Sequence, residues 1–450
     1  MNGGLGWGGI VRLGLVQTAL GAIVVLTTSV MNRVMVVEYA LPAMLPGLLV
    51  AFKDVLQLSR PRVGYGSDIG GRRTPWIIGG MALLALGGVT AAFGTAVMGA
   101  VRTAGIAIAV VGFLMIGLGV GAAGTTLLVL LARLVDDARR PAAASIVWMM
   151  MIAGFAVTAG LAGHFLDPYS PERLVLVSAV VSVLAMLITL LAVHGVEPAD
   201  GGRQQTAESS GDAPRFAEAL AEVWREPQAR RFTIFVLVSM LAYSAQDLIL
   251  EPFAGRVFGM TPGQSTQLSG AQHGGVLLGM LLVAASGSLL RGARGVPLRV
   301  WTVGGCVCSA LALLCISLGA TLAPAWPLRL NVFLLGVSNG VFAVAAIASM
   351  MALASEGKAG REGLRMGLWG AAQAIAMGLG VFLGTVAVDV SAHLFATPES
   401  AYGIVFAAEG ILFLVAAALG LAATRTAPDA ATRLMPRFGK VAMIDVFEGR

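Results

Sequence analysis

Three neighbouring polar side chains are the strongest candidates for chemistry, because they lie in an otherwise apolar stretch. Asp247 and Glu251 are four residues apart, a spacing that puts both carboxyls on one face of an α-helix, and Gln246 lies beside Asp247. Ionisable groups in such stretches are costly and mark functional sites. We expect the carboxyls either to line a polar cavity or to form a gate at the outer surface with Arg256.

Two further sets of polar residues lie in or beside the first two apolar stretches. Asn32, Arg33 and Glu38 end the first stretch, and we expect them to line the same cavity. Lys53 and Asp54 lie in the second stretch. For these two we expect a structural role, with the long Lys53 side chain reaching water.

Histidine offers a different chemistry, because neutral imidazole can ligate the magnesium of a chlorin from one axial side. His273 lies beside Gly274 and Gly275, whose missing side chains could admit a flat ring. An ordinary buried histidine is the alternative. Three other histidines are expected at the ends of apolar stretches, namely His164, His194 and His393. The spacing of a metal cage is absent from the sequence, so we expect no protein-bound metal.

Composition places these residues in a lipid bilayer. Of 450 residues, 57% are hydrophobic and only 12% are charged, whereas soluble domains carry about 25% charged residues. This composition excludes a cytosolic globular protein, a disordered chain and a disulfide-stapled secreted domain. The net charge of +6 matters for orientation in the membrane, and nucleic acid is not the implied partner.

The apolar stretches predict an all-α membrane protein with twelve transmembrane helices in two pseudo-symmetric six-helix bundles. They lie near 12–32, 40–58, 76–98, 104–132, 143–166, 174–194, 231–251, 270–290, 299–321, 328–354, 365–388 and 402–424. The predicted domains are a first bundle over 1–194, a linker over 195–230, a second bundle over 231–424 and a tail over 425–450. Residues 216–224 of the linker have helical apolar spacing, so they form either an amphipathic helix on the membrane face or a loose connector.

The two predicted halves are similar to each other. The matching positions are Trp76 and Trp301, Gly117 and Gly336, Gly121 and Gly340, and Trp148 and Trp369. A duplicated six-helix unit explains these pairs, and duplicated transporters bind substrate between the halves near the bilayer midplane. Lysine and arginine concentrate in the loops on the side of both termini. The positive-inside rule therefore predicts that both termini are cytoplasmic.

The clearest motif lies between the second and third predicted spans and comprises Gly64, Asp68, Gly71, Arg72 and Arg73. It resembles the signature loop of the major facilitator superfamily. Glycines let two helix ends approach, and the aspartate can cap a helix or pair with arginine across a sliding interface. The resemblance implies a major facilitator fold with a cytoplasmic gating loop here. An ordinary basic turn is the alternative.

The fourth predicted span departs from the pattern of proton-coupled members of that superfamily. Those members carry an arginine and a glutamine just before a glycine pair, whereas this chain has Phe113 and Ile116 at the corresponding positions. The difference argues against ordinary proton-driven transport.

A more specific resemblance rests on strings in the first eighty residues. They are RLGLVQ at 12–17, VVLTT at 24–28, NRVMVVE at 32–38, LP at 41–42 and RRTPW at 72–76. Together they resemble the PucC family of photosynthetic bacteria, and in particular its member encoded among bacteriochlorophyll genes. The resemblance implies a multi-pass protein of the bacterial inner (intracytoplasmic) membrane that helps build light-harvesting complexes.

The resemblance leads to one main hypothesis and one rival. The main hypothesis is an assembly factor that binds bacteriochlorophyll and delivers it to light-harvesting polypeptides or to a bacteriochlorophyll synthase. The rival is a secondary transporter of a small amphiphilic substrate, with Asp247 and Glu251 as its site. We do not expect an enzyme, because Asp136 and Asp137 form a single acidic pair, whereas polyprenyl-diphosphate chemistry needs paired aspartate-rich motifs to hold magnesium.

Overall fold

The structure is a computed structural model that describes residues 5–56, 72–136, 139–197, 224–289, 296–356 and 362–423. These residues form α-helices joined by short connections, and no strand occurs among them. The first half contains α1 (Trp7–Leu26), α2 (Met44–Leu56), α3 (Thr74–Val97), α4 (Arg102–Leu134), α5 (Arg140–Phe165) and α6 (Pro171–Val193). The second half contains α7 (Pro227–Ala245), α8 (Leu250–Phe258), α9 (Pro262–Leu289), α10 (Leu298–Ala320), α11 (Leu328–Glu356), α12 (Glu362–Leu394) and α13 (Pro398–Ala423).

The chain is a multi-pass membrane protein. In its described part, 10 helices are long and apolar enough to cross a bilayer, and the bent pair of α7 and α8 makes up to 11. The remaining helix, α2, has 13 described residues and ends where residues 57–71 begin, outside the described part of the chain. The predicted all-α membrane class is therefore confirmed, whereas the count of twelve spans stays a prediction.

The predicted start of α9 was about two turns too late. The apolar stretch begins near residue 270, but the helix begins at Pro262. Its first turns carry Ser265 and Thr266, which are fully buried and donate hydrogen bonds to the carbonyl of Pro262 at 3.1 and 2.7 Å. Polar side chains that bond within their own helix tolerate burial, so hydropathy alone missed this end.

Two spans depart from α-helical geometry. The first span, Trp7–Glu38, passes from α1 into π-helical segments at Thr27–Met31 and Val34–Glu38. The seventh span passes from α7 through a 3₁₀ segment, Gln246–Leu248, into α8 with a bend of 43°. Pro252 lies in the first turn of α8 and has no N–H to donate to the carbonyl four residues earlier. It therefore accounts for the break in the seventh span.

The two halves contact each other through two pairs of helices that occupy corresponding places in the halves. Helix α5 packs against α9, and α2 packs against α12. When α7 and α8 are counted as one span, the fifth helix of each half meets the second helix of the other. Within the halves, a Cβ at Gly117 of α4 would lie 2.6 Å from the Lys53 carbonyl, and one at Gly336 of α11 would lie 2.1 Å from the Gln272 carbonyl. In both pairs the glycine follows its contact residue by the same number of residues, as duplication of the six-helix unit predicts.

Glycine spacing sets the close packing of α3 against α4. The glycines recur at every seventh residue in both helices, as Gly80, Gly87 and Gly94 in α3 and Gly105, Gly112 and Gly119 in α4. A Cβ on Gly87 would lie 2.8 Å from the backbone nitrogen of Ile116, and a Cβ on Gly112 would lie 2.5 Å from that of Ala91. These antiparallel backbones approach each other at distances that no larger residue permits.

Substituting neighbouring glycines in α3 tests this packing. A Cβ on Gly80 would lie 2.6 Å from the nitrogen of Ala123, whereas one on Gly79 meets nothing within 4 Å. We expect Gly80→Ala to lower the free energy of unfolding by about 1–3 kcal/mol through overpacking. Gly79→Ala should be neutral or slightly stabilising, since alanine is the better helix former. Thermal unfolding in detergent measures both variants, and equal melting temperatures would contradict the packing argument.

Candidate functional site

Asn32, a candidate site residue from the sequence, connects the first span to the break in the seventh span. Its side-chain nitrogen donates a hydrogen bond to the carbonyl of Leu248 at 2.7 Å, and the side chain is fully buried. In a regular helix the residue at position 252 would donate to this carbonyl, but Pro252 cannot. The first half therefore satisfies a backbone group that the second half leaves without its helical partner.

Glu251 and Ser29 form a second contact between the halves. The Ser29 hydroxyl donates to a carboxylate oxygen of Glu251, which is 2% exposed. Ser265 and Ser269 of α9 also face this carboxyl. The sequence analysis missed Ser29, although its position one turn before Asn32 on the same face was a usable signal.

Two arginines complete the contacts at this end of the bundle. Arg33 is 3% exposed, pairs with Glu38 and donates to the carbonyl of Met260 at 2.6 Å. Arg256 donates to the carbonyl of Val36 at 2.7 Å. The expected gate between Arg256 and the carboxyls is therefore wrong in its pairing, because Arg256 donates to backbone of the first half.

Two aspartates that the sequence analysis did not select, one in each half, make the same kind of contact with the other half. Asp167, just after α5, accepts from the backbone nitrogen of Gly263 at 3.2 Å and from the hydroxyl of Thr261 at 2.7 Å. Asp389 of α12 accepts from the backbone nitrogens of Ala43 and Met44 at 2.8 and 2.7 Å. Each carboxylate caps the start of a helix in the other half, where backbone N–H groups lack helical partners.

We call this set of contacts the inter-half clasp. Its side chains are Ser29, Asn32, Arg33, Asp167, Glu251, Arg256 and Asp389. It joins the end of the first span, the break of the seventh span and the starts of α2 and α9 at one end of the bundle. The arrangement can hold two halves together in a medium without water, because most of its contacts pair a side chain of one half with a backbone group of the other.

Asp247 lies apart from the clasp. It belongs to the 3₁₀ segment and is half-buried, and its carboxyl is in electrostatic range of Lys53 and Asp54. The expectation that Asp247 and Glu251 share one face of a continuous helix is wrong, because the helix breaks between them. The neighbouring Gln246 is fully buried and donates to the carbonyl of Tyr243 at 3.0 Å.

Lys53 does not reach water as expected. It is 5% exposed, and its ammonium lies 2.9 Å from a carboxylate oxygen of Asp54. Glu409 of α13 is also 5% exposed and in electrostatic range of Asp247, and neither of its oxygens has a hydrogen-bond partner among the described residues. The buried Lys53 and Glu409 therefore lie near two half-buried carboxyls, those of Asp54 and Asp247.

His273 lies in the middle of α9 with a half-buried ring. Its Nδ1 lies 2.9 Å from the carbonyl of Ser269, and its ring packs edge-on against Phe155 of α5 with centroids 5.0 Å apart. A Cβ on Gly274 meets nothing within 4 Å, whereas one on Gly275 would lie 2.3 Å from the Phe333 carbonyl. Only Gly274 therefore leaves open space, and Gly275 serves helix packing. Metal-site groupings of three or more ligating side chains do not occur among the described residues.

The predicted gating loop lies mostly outside the described residues, which exclude Gly64, Asp68 and Gly71. Arg72 is exposed, and Arg73 is buried at the start of α3. The gating role stays a prediction, as does the amphipathic helix near 216–224, nearly all of which also lies outside the described ranges.

Glu197, near the start of the predicted linker, holds the beginning of α3. It accepts hydrogen bonds from the backbone nitrogens of Arg73 and Thr74 at 2.9 and 2.8 Å and from the Thr74 hydroxyl at 2.8 Å. Partial burial raises the pKa of Glu197, but these hydrogen bonds outweigh it, so the pKa lies below its ordinary value. At the other end of the linker, Glu226 pairs with Arg365 of α12 at 2.7 Å. A glutamate thus anchors each end of the linker to a different half.

Solved structures share this fold at low sequence identity. A bacterial homolog of the human lysosomal transporter Spinster aligns with a TM-score of 0.66 and 15% identity, covering 96% of this chain and 97% of that one. A peptide transporter in complex with sulfate aligns with a TM-score of 0.66 and 16% identity, covering 95% and 96%. The nucleoside transporter NupG aligns with a TM-score of 0.67 and 12% identity, covering 93% and 100%. These likenesses confirm the predicted major facilitator fold.

Two relatives from Rhodobacter capsulatus are much closer in sequence. The bacteriochlorophyll synthase 44.5 kDa chain of Rhodobacter capsulatus is 52% identical over 430 residues, which cover 94% of this chain and 97% of that protein. Protein PucC of Rhodobacter capsulatus is 30% identical over 431 residues, covering 92% and 91%. The profile of the PUCC protein family matches residues 30–427. The chain therefore belongs to the PucC family.

Proposed function

We propose that this protein is an assembly factor of the photosynthetic membrane that binds bacteriochlorophyll and delivers it to light-harvesting polypeptides or to a bacteriochlorophyll synthase. The observation that carries the proposal is the 52% identity, over nearly the full length of both chains, to a relative named as a bacteriochlorophyll synthase chain. In this proposal the protein lies in the bacterial inner membrane with both termini in the cytoplasm.

In this proposal His273 is the candidate residue that would hold such a pigment. The ligand would be a flat, largely apolar macrocycle with a central magnesium. Where α5 meets α9, the structure offers the His273 ring, the Phe155 ring and an apolar cluster around Ile152, Val276 and Met280. When bound, the pigment would supply the light-absorbing group for the antenna. The protein's own residues would hold it, orient it and keep water away from the metal.

A catalytic role is not part of the proposal. Asp136 is exposed and pairs with Arg139, an arrangement that leaves its carboxylate committed to a surface ion pair. Its neighbour Asp137 lies outside the described ranges. The name of the relative fits an accessory chain that hands pigment to an enzyme, and the transporter fold suits a protein that moves or holds a ligand.

Purification from a pigmented host tests the proposed function. We expect the gently isolated protein to carry bacteriochlorophyll in about a stoichiometric amount and to co-purify with light-harvesting polypeptides. A deletion strain should assemble less antenna, because pigment delivery would be lost. The absorption spectrum and the antenna content of membranes measure both. Pigment-free protein together with unchanged antenna levels would overturn the proposal.

A secondary transporter of a small amphiphile is the second candidate, and the interior charges favour it. Lys53, Asp54, Asp247 and Glu409 lie within a protein whose fold is that of transporters. Buried charges of this kind are costly and persist where they bind a substrate or a proton. The clasp residue Glu251, by contrast, has a structural partner and is a weaker substrate ligand than the sequence suggested.

Uptake of bacteriochlorophyllide into vesicles tests this second candidate. If the interior charges bind the substrate, Asp247→Asn should reduce uptake on the order of tenfold, equivalent to about 1.4 kcal/mol of lost binding. Glu399→Gln, at the start of α13 and away from the cluster, is the matched control and should retain uptake. Unchanged uptake by Asp247→Asn would remove the support for transport through this site.

A further inference from the structure

Glu409 is a buried carboxyl for which the fold supplies no partner. It lies in the middle of α13 and is 5% exposed, and neither of its oxygens has a hydrogen-bond partner among the described residues. The buried face of α13 around it is apolar apart from Tyr402, with Phe406 and Phe413 fully buried. Buried polar groups normally have a partner, and an ionisable group in a membrane span persists for a function.

Asp247 is the charged group that acts on Glu409, and it too lacks a partner. In the part of the chain that the structure describes, its carboxylate makes no hydrogen bond and no ion pair. Unlike those of Glu409, its oxygens are not sealed from access, because the residue is only half-buried. Asp247 belongs to the 3₁₀ segment that interrupts the seventh span. Interrupted helices of this kind hold the coupling ions of secondary transporters.

Lys53 does not neutralise these two carboxyls. Its ammonium lies 2.9 Å from a carboxylate oxygen of Asp54, so its charge is already paired. Its charge reaches Asp247, but Asp247 is the charge that acts on Glu409. When all four groups are ionised, one positive and three negative charges leave two negative charges in excess. Such an excess in a medium of low dielectric constant calls for a cation.

A proton on Glu409 would remove one charge but would not satisfy the group. A protonated carboxyl carries an O–H that must donate to an acceptor. Among the described residues no acceptor lies within hydrogen-bond distance of either oxygen, so the O–H would itself be a buried donor without a partner. A cation held by both carboxylates removes charge from both and gives the oxygens of Glu409 a partner. Carboxylate oxygens are the ligands that hard cations prefer.

We propose that Asp247 and Glu409 together bind a monovalent cation, with sodium as its probe, at the break of the seventh span. Asp247 is the ligand on the accessible side, and Glu409 is the ligand on the sealed side. Groupings of three or more ligating side chains do not occur among the described residues, which argues against a divalent ion. The inference goes beyond the proposed function, because it requires neither a pigment nor transport.

Thermal unfolding of the purified protein in detergent tests the proposal. Sodium chloride is compared with choline chloride at equal ionic strength, so that general screening is the same. We expect saturating sodium to raise the melting temperature of the wild-type protein by about 3 °C or more, because the ion binds only the folded state. Glu409→Gln should lose this rise. Glu399→Gln, in the first turn of the same helix, is the matched control and should keep it.

A second variant and a direct measurement cover the case in which Glu409→Gln does not fold. Asp247→Asn, at a half-buried position, should also lose the rise. Equilibrium dialysis with radioactive sodium should find a stoichiometric amount of the ion on the wild-type protein, and an equal effect of potassium would still support a monovalent site. The proposal is overturned if sodium does not stabilise the wild-type protein, if both variants keep the rise, or if magnesium stabilises more than sodium. None of these results changes the pigment content or the antenna levels that test the proposed function.

Discussion

The structure depends on one backbone carbonyl, that of Leu248, which its own helix leaves without a donor. Pro252 cannot donate to the carbonyl of Leu248, and lipid offers no replacement donor. Asn32 of the other half supplies it. The contact between the halves therefore stabilises the break in the seventh span, and its donor, Asn32, lies between the two π-helical segments of the first span. A local defect in one bundle thus becomes an interaction between bundles.

The inter-half clasp is connected to His273 through α9. Ser269 faces the carboxyl of Glu251, and the carbonyl of the same residue fixes the ring of His273. A displacement of α9 that loosens the clasp would therefore also move the imidazole.

Hydropathy and charge were sufficient to predict the all-α membrane class, and the sequence strings were sufficient to predict the family. The interior was harder to predict. Lys53 was expected at water but is buried beside Asp54, because helix α2 packs against α4 and α12. Asp167 and Asp389 gave no signal, since their caps depend on how the halves meet. Pro252 was a readable signal for the break, and including it would have separated Asp247 from Glu251.

A double-mutant cycle on Asn32 and Pro252 tests the central claim most directly. The free energy of unfolding in mixed micelles is measured for Asn32→Ala in the wild-type chain and in Pro252→Ala. We expect Asn32→Ala to cost about 1–3 kcal/mol when Pro252 is present, because the Leu248 carbonyl loses its donor. Most of that cost should disappear in Pro252→Ala, whose restored N–H can serve the same carbonyl. An equal cost in both backgrounds would contradict the account.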